Sequence, residues 1–313
     1  MSSILTNAAA LTALQSLNAT NKNLQVTQGR IATGMRVAEA SDNAAYWSIA
    51  TTMRSDNKAN SVVQDALGLG AGKVDTAYTA MNKAIDVVDQ IKQKVLLAKT
   101  SSGADRERIQ TEIGNLQSQL KDNITGANYA GSNLLQTSGN AAATDTKLTV
   151  MTSYNRDSAG KVTTGTIDVD FKNTRLIDSD ASAAASAKTG ILDKQFGATG
   201  AETTILDLKV SGTGGASTAG DFDALLTGIE SALKGMATGA AELGAAKARI
   251  DMQKDFVSKL SDSIDRGVGQ LVDADMNKES TRLQALQVQQ QLGIQALSIA
   301  NGSSQQILSL FRG

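Results

Sequence analysis

Hydrophobic residues recur every seven positions near the C-terminus, and this repeat constrains the fold more than any other feature of the chain. The repeat runs from Ile229 to Leu271 without a gap. A seven-residue hydrophobic repeat sustained over many turns is typical of a coiled-coil helix. The sequence therefore predicts one long helix with a seam that packs against another helix. The seam holds Ile229, Met236, Leu243, Ile250, Val257, Ile264 and Leu271, and it is flanked by Leu226, Leu233, Ala240 and Val268.

A second seam of this kind lies in the N-terminal half of the chain. It stays in phase across Gly68, Gly70 and Gly72, so we interpret this stretch as a helix that is locally weak rather than as a loop. Small residues on one side of it would let a neighbouring helix come close. One seam position holds Leu67, Val74, Met81, Val88 and Val95, and the other holds Gly70, Ala77, Ala84, Ile91 and Ala98.

Two shorter apolar patterns complete the helical part of the chain. Polar Asn21 and Gln28 lie in the N-terminal seam, where they cost stability and favour one register. The chain contains no proline, so no residue in it has to break a long helix. A third helix, after a turn at Ser101–Gly103, is marked by Ile109, Ile113, Leu116, Leu120 and Ile124. The N-terminal seam consists of Leu14, Leu17, Asn21, Leu24, Gln28, Ile31, Met35 and Ala38.

The middle of the chain has a different composition, rich in Thr, Ser, Gly and Asp. Apolar residues alternate with polar ones in runs that begin at Leu148, Ile167 and Leu206, and this period of two predicts strands. The letters NRDSAGK predict a turn between the first two runs, and Ser211–Gly220 predicts a flexible return loop. The fold class is therefore mainly α, a long antiparallel coiled-coil bundle formed by both chain ends with a small β-rich inserted outer domain. We expect this insertion to be removable without preventing the helical part from assembling with other copies.

Both ends of the chain lack charged residues, between Ser2 and Asn21 and again over residues 283–311. On a helix, the C-terminal segment would be apolar nearly all round, apart from a narrow stripe of Gln and Ser side chains. Such a helix must be buried on nearly every side. We therefore expect both ends to be disordered in a free subunit and to fold against other copies. A buried helical hairpin inside a monomeric bundle is the alternative. The stripe consists of Gln284, Gln287, Gln291, Gln295 and Ser298.

Composition and motifs argue against catalysis and against a cofactor. The chain has no His and no Cys, so it lacks a histidine general base, a thiolate nucleophile and Cys-type metal sites. Gly68–Lys73 does not fit a phosphate loop, and Asp273–Glu279 lacks the Gly and the bidentate Glu of a calcium loop. Asp168 and Asp170 fit a solvated strand face. A net charge of −1 gives no reason to expect nucleic acid, and no segment is apolar enough for membrane insertion.

Three motifs of the chain point to one protein family. The segment GRIATGMRVAEASDNAAYWSIA at Gly29–Ala50 is similar to the N-terminal signature of bacterial flagellin. The segment RIDMQKDFVSKLSDSIDR, with the Asp273–Asp275 element that follows it, resembles the conserved C-terminal helix, and QILSLFRG resembles the usual end of the family. The signature positions that match are Arg30, Gly34, Arg36, Asp42, Ala44 and Ala45.

The resemblance implies a structural subunit that polymerises into the helical flagellar filament for swimming motility. It implies residues 1–40 with 278–313 as a coiled-coil inner core, 41–140 with 220–277 as a helical bundle, and 141–219 as a variable outer domain. The signature positions and the apolar residues of the ends would form subunit interfaces. The apolar residues are Ile4, Leu5, Leu11, Leu14, Leu17, Leu24, Ile31, Leu283, Leu286, Leu292, Ile294, Leu297, Ile299, Ile307, Leu308, Leu310 and Phe311.

The resemblance also implies secretion by the flagellar type III export system to an extracellular filament. A flagellar export chaperone, the filament cap and hook-junction proteins would be partners besides other copies. Host immune receptors recognise two segments of flagellins. In this chain one segment carries Lys92, Gln93 and Lys94 in place of the usual residues, and the other carries Ser41, Asn43 and Tyr46. The alternatives are a hook–filament junction protein of the same coiled-coil family and an enzyme whose site lies in the middle of the chain.

Overall fold

Long helices dominate the computed structural model, which describes residues 7–139, 146–157, 159–180, 183–184, 187–196, 203–210 and 219–310. For residues 219–220 and 303–310 it describes the backbone alone. The helices are α1 (Ala8–Thr33), α2 (Ala44–Thr100), α3 (Gly103–Thr125), α4 (Phe171–Thr174), α5 (Ala219–Val272) and α6 (Met276–Leu310). The strands are β1 (Gln136–Thr137), β2 (Lys147–Arg156), β3 (Val162–Asp170) and β4 (Ile177–Asp178), and Ile205–Asp207 is a 3₁₀ turn. The mainly α fold predicted from the sequence is confirmed.

The chain forms two compact units. The first contains residues 1–58 and 261–313, and the second contains residues 59–260. Helices α2 and α5 contribute residues to both units, because each runs without interruption through a unit boundary. The absence of proline permits helices of 57 and 54 residues.

The core of residues 59–260 is built from the heptad seams that the sequence predicts. Leu67, Val74, Met81, Val88 and Val95 on α2 are all fully buried. Ile229, Met236, Leu243 and Ile250 on α5 are fully buried too, and Val257 nearly so. Four apolar residues of α3, from Ile109 to Ile124, join the same cluster. The predictions of one long C-terminal helix, a second helix through the glycines and a third helix are therefore confirmed.

The residues that pack against Gly70 and Gly72 of α2 differ from those that the sequence predicts. A Cβ on Gly70 would lie 2.6 Å from the Val150 side chain of β2, and one on Gly72 would lie 2.6 Å from the ring of Tyr129. Both distances are far below an ordinary contact. At Gly70 and Gly72, therefore, a β-strand and a loop approach α2, where the sequence predicted that a neighbouring helix would come close.

The middle of the chain contains an antiparallel β-hairpin of β2 and β3. Its register pairs Lys147 with Asp170 and Arg156 with Val162, with an irregularity between Met151 and Ser153. The turn is held by Asp157, whose Oδ1 accepts hydrogen bonds from the backbone N–H groups of Ala159 and Lys161 at 2.9 and 2.8 Å. The two strand predictions and the NRDSAGK turn are confirmed. A second pair, β1 with β4, is parallel and two residues long.

The strand predicted for the run beginning at Leu206 is wrong. Residues 205–207 form a 3₁₀ turn instead, although Leu208 and Val210 are buried as a core strand would be. Side-chain amides of α3 take the backbone bonds that a partner strand would have provided. Gln117 Nε2 donates to the carbonyl of Ile205 at 2.9 Å, and Gln110 Oε1 accepts from the N–H of Val210 at 2.6 Å. The sequence predicted a return loop at residues 211–220. Residues 211–218 lie outside the described residues, and α5 begins at Ala219.

A buried carboxylate, that of Asp178 in β4, ties the loops around the parallel pair together. Its oxygens accept hydrogen bonds from the backbone N–H groups of Gly139, Asp180 and Thr189 at 2.7, 3.0 and 3.1 Å. Burial raises the pKa of Asp178, but these backbone donors outweigh that effect and lower the pKa to about 2. The ionised form of Asp178 therefore stabilises the fold in neutral solution.

Candidate assembly surface

The two charge-free ends of the chain form a pair of antiparallel helices, α1 and α6, which we call the terminal helix pair. Three polar contacts define its register. Asn7 Nδ2 donates to the carbonyl of Ala300 at 2.9 Å, and Gln290 Nε2 donates to Asn21 Oδ1 at 2.7 Å. At the other end Arg30 Nη1 donates to Glu279 Oε1 at 3.2 Å. Asn21 therefore has the register-setting contact that its place in the sequence pattern predicts.

The seam of α1 that faces α6 differs in part from the predicted one. Leu17, Leu24 and Ile31 are half-buried there, as expected. Their partners in the repeat are Thr20 and Thr27, which are 4% and 1% exposed, whereas Leu14 and Gln28 are exposed. The Thr20 hydroxyl donates to the carbonyl of Ser16 at 2.9 Å, so a threonine can lie in the seam without an unsatisfied hydroxyl. Met35 and Ala38 lie beyond the end of the helix.

An ion pair lies within this seam near its base. Arg30 Nη1 donates to Glu279 Oε1 at 3.2 Å, and both side chains are largely buried. Within the described residues, Arg30 Nε and Glu279 Oε2 are buried without a hydrogen-bond partner. Removing either charge alone would leave the other buried and unpaired, which is strongly unfavourable. The ion pair therefore disfavours other registers of α1 against α6, whereas its net contribution to the free energy of folding is small.

Part of the surface of the terminal helix pair that faces away from the seam is apolar. Leu292 and Ile299 on α6 are 57% and 72% exposed, and Val288 shares their face because helical neighbours recur at three and four residues. Leu11 and Leu14 on α1 are exposed as well. Contiguous apolar surface of this kind marks a site of interaction with another protein.

The predicted interface residues fall into three groups. Leu17, Leu24, Ile31, Leu283, Leu286 and Leu297 lie on the seam between α1 and α6 and are buried or half-buried. Leu11, Leu14, Leu292, Ile294 and Ile299 are exposed. Ile4, Leu5 and Phe311 lie outside the described residues, and Ile307, Leu308 and Leu310 belong to the part of α6 whose backbone alone is described.

A polar stripe separates the two apolar faces of α6. Gln284, Gln287, Gln291, Gln295 and Ser298 are all exposed, in line with their predicted position on one side of the helix. No acidic or basic side chain lies among them between Leu283 and Phe311. The helix therefore offers one face to α1, one apolar face and one uncharged polar face.

The signature segment forms the junction between α1 and α2, residues 34–43, and binds to the break between α5 and α6. Gly34 ends α1 with φ +70°, a left-handed conformation that favours glycine. Its carbonyl accepts the N–H of Ala274 at 2.9 Å. On the next residues, the N–H groups of Arg36 and Val37 donate to the carbonyl of Val272 at 2.6 and 3.2 Å. Two motifs far apart in the sequence therefore meet in one backbone contact.

The other signature residues shape this junction. Arg36 Nη2 donates to the carbonyl of Leu271 at 3.0 Å. Asp42 Oδ2 accepts the N–H groups of Ala38 and Glu39 at 2.9 and 3.2 Å, and these two bonds hold the pKa of the Asp42 carboxyl below its usual range. Ala44 and Ala45 are the exposed first residues of α2.

The sequence did not indicate the residue that caps the start of α2. Asn43 Oδ1 accepts the N–H of Tyr46 at 3.0 Å, which satisfies one of the free donors of the first helical turn. An Asn directly before a helical run is the signal that could have identified it. Asn57 also has a role that no pattern predicts, since its Nδ2 donates to Asp265 of α5 at 2.6 Å.

The Asp273–Asp275 element forms the break between α5 and α6. Asp275 Oδ1 accepts the N–H groups of Asn277 and Lys278 at 3.1 and 3.2 Å and caps the start of α6. The Lys278 backbone donor is the main cause that lowers the pKa of Asp275. Among the described residues there is no cluster of three potential metal-ligating side chains, and none of their helices is long and apolar enough to cross a membrane.

These features define a class of protein before any comparison is made. Long helices with heptad seams, and a terminal helix pair whose outer surface exposes apolar residues and whose ends lack charge, are typical of a subunit that assembles with copies of itself. Residues 4–140 match the bacterial flagellin N-terminal helical region, and residues 226–311 match the bacterial flagellin C-terminal helical region. The chain belongs to the bacterial flagellin family.

Two relatives of known sequence agree with the family match. A flagellin of Brucella melitensis biotype 1 is 54% identical over the whole of both chains. Flagellin C of Rhizobium meliloti strain 1021 is 48% identical, again over the whole of both chains. A crystal structure of Bacillus cereus flagellin is similar over 63% of this chain and 88% of that chain, with a TM-score of 0.37 and 17% identity. Flagellin is a structural protein family, so the chain is not an enzyme.

Proposed function

We propose that this chain is the filament-forming subunit of a bacterial flagellum and that it polymerises through the outer faces of its terminal helix pair. Family membership supports the filament subunit, and it does not favour the hook–filament junction alternative. The main support for this assembly mechanism is the exposed apolar surface of α1 and α6, which includes Leu11, Leu292 and Ile299. Burial of such side chains contributes about 1.5–3 kcal/mol each.

The absence of charge on both ends fits burial against other copies. A carboxylate or ammonium buried at every subunit contact without a partner would be strongly unfavourable. The Gln stripe of α6 would then face water, because amide side chains form hydrogen bonds there without carrying charge. The predicted interface residues on the seam would contribute to assembly indirectly, by holding the terminal helix pair together. They are Leu17, Leu24, Ile31, Leu283, Leu286 and Leu297.

We further propose a division of labour along the chain. Residues 1–40 with 278–313 form the inner core of the filament, residues 41–140 with 220–277 form the helical bundle, and residues 141–219 form the outer part. Two helix breaks support the first boundary, since the junction at residues 34–43 and the break at Asp273–Asp275 lie beside it. Arg30, Gly34, Arg36 and Asp42 would keep these breaks in one geometry, while Ala44 and Ala45 are exposed to neighbouring copies.

The remaining partners follow from the proposed function. A filament outside the cell requires export of the subunit, so we infer a flagellar export chaperone, the type III export system, the filament cap and the hook-junction proteins as partners. The lack of Cys and Pro suits this route, because an exported chain then has neither disulfides to reduce nor slow prolyl isomers.

Amide hydrogen exchange on free subunits and on filaments tests the proposal. We expect the amides of α1 and α6 to exchange rapidly in the free subunit and to be protected in the filament, because one helix pair leaves most of its apolar surface in water. The amides of α5 near Leu243 and Ile250 are the internal reference and should be protected in both states. Strong protection around Leu292 in the free subunit would contradict the proposal.

A further inference from the structure

Two exposed apolar stripes remain on the unit formed by residues 59–260. On α5, Met252 and Phe256 are 65% and 56% exposed, and exposed Ala245 continues the same side of the helix. On α2, Val62 is 58% exposed and Leu69 lies seven residues further along the same side. Neither stripe belongs to the heptad seams, which face the core.

Each stripe carries one charge. Asp65 lies between Val62 and Leu69 on α2, and Arg249 lies between Ala245 and Met252 on α5. In the described part of the chain neither of these two exposed residues forms an ion pair. Other charges on the same helices do pair within the chain, as Asp75 does with Lys247 and Lys99 does with Asp223. Asp65 and Arg249 are of opposite sign, and each lies between apolar residues of its stripe.

The direction of the helices determines how the stripes of two copies can meet. The pairs Asp75–Lys247 and Lys99–Asp223 show that α2 and α5 run antiparallel within the unit. Neighbouring copies that repeat along an open array face the same way, so α2 of one copy meets α5 of the next in an antiparallel arrangement.

One register satisfies both the apolar residues and the charges. If Val62 lies opposite Met252, a step of seven residues forward on α2 and back on α5 places Leu69 opposite Ala245. A step of three residues places Asp65 opposite Arg249. The small side chain of Ala245 leaves room for Leu69, and the ion pair lies between the two apolar contacts.

We propose that Val62, Asp65 and Leu69 on α2 of one copy dock against Met252, Arg249 and Ala245 on α5 of a second copy. The inference rests on the proposed function, because it requires copies in a polymer. It adds a heterologous contact, one that uses two different surfaces and so continues without closing. Since the residues are exposed in the single chain, substituting them should leave the fold intact.

A charge exchange tests the pairing. Asp65→Arg and Arg249→Asp alone should each raise the critical concentration for polymerisation by roughly 3- to 10-fold, because like charges then face each other. The double variant should recover most of this loss. Lys254→Glu is the control, since this exposed residue lies on the other side of α5. A double variant that polymerises no better than the single variants would overturn the proposal.

Thiol cross-linking tests the geometry, because the chain contains no cysteine. Filaments grown from a mixture of Val62→Cys and Met252→Cys subunits should yield covalent dimers with a short bismaleimide, whereas filaments of either variant alone should not. Dimers in a single-variant filament, or none in the mixture, would overturn the contact. Filaments that grow normally while the mixture fails to cross-link would count against this contact and leave the proposed function standing. A failure of the unmodified chain to polymerise would count against the proposed function itself.

Discussion

Single residues at the junction determine how the terminal helices leave the rest of the first unit. Gly34 ends α1 in the left-handed region, and its carbonyl holds Ala274 across the break between α5 and α6. Asp42 and Asp275 accept backbone N–H groups on either side of that contact. The sequence motif therefore reflects backbone geometry, since three of its six matched positions, Gly34, Arg36 and Asp42, have a structural explanation at the junction.

Gly34 offers a test with an internal control. Gly34→Ala should destabilise the junction by about 1–2 kcal/mol, because an L-residue is strained at positive φ. Gly29→Ala, within α1 and with open space at its Cβ position, should stabilise the helix by up to about 1 kcal/mol. The temperature at which filaments dissociate should fall for the first variant and rise for the second. Equal shifts for both would show that the left-handed cap is unimportant.

The low pKa of Asp178 predicts that the free energy of unfolding falls in acid. Its pKa of about 2 lies below the ordinary value of 3.8, so its contribution is present above pH 3.8 and is lost as the pH falls toward 2. Asp178→Asn should therefore lower the free energy of unfolding in neutral solution and flatten its decline over this acid range. Urea unfolding at several pH values, with exposed Asp122→Asn as the control, measures the effect. A steep decline that persists in Asp178→Asn would assign it to other carboxylates.

Among the secondary-structure elements, α6 shows how one helix can serve three environments. One face packs on α1, one is polar and uncharged, and one is apolar and exposed. Leu297 lies on the face toward α1, so a charge there would first damage the terminal helix pair. Leu292 lies on the exposed apolar face, and it is the better position at which to test assembly.

Leu292→Asp and Gln291→Asp form a matched pair on adjacent residues of α6. We expect Leu292→Asp to abolish polymerisation, since every subunit contact would bury a carboxylate without a partner. Gln291→Asp should still give filaments, because its side chain belongs to the polar stripe. Electron microscopy and sedimentation of purified subunits measure both outcomes. Filaments of normal length from Leu292→Asp would show that this face is in contact with water.

At the scale of the whole molecule, the structure changes the prediction of which residues can be deleted. The sequence suggests that residues 141–219 are dispensable. However, Val150, Phe171, Leu176 and Leu208 from this region are buried in one cluster with α2, α3 and α5. Their loss would expose the seams of these helices to water.

We therefore expect deletion of residues 141–219 to lower the unfolding temperature of the subunit and to prevent polymerisation. Shortening the turn at residues 157–161 to Asn-Gly is the control, and it should change neither property because the described turn residues Asp157, Ala159, Gly160 and Lys161 are exposed. Circular dichroism and electron microscopy measure the two outcomes. Normal filaments from the deletion would show that the helices pack adequately by themselves.

Periodicity alone determined the long helices of this protein and the β-hairpin. A seam of Leu, Ile, Val and Met every seven residues buries one side of a helix whatever its partner is, and the absence of proline lets such helices grow long. The charge-free ends likewise indicate burial without showing where it occurs. These properties are local, so they can be identified from spacing and composition.

Only the tertiary structure decided which surfaces meet. It placed Thr20 and Thr27 rather than Leu14 and Gln28 in the α1 seam, and it turned the residues after Thr204 into a 3₁₀ turn held by Gln110 and Gln117. It also joined Gly34 to Ala274, two residues separated by most of the chain. Such choices depend on partners far apart in sequence, whose hydrogen bonds and packing outweigh the local preference of a short segment.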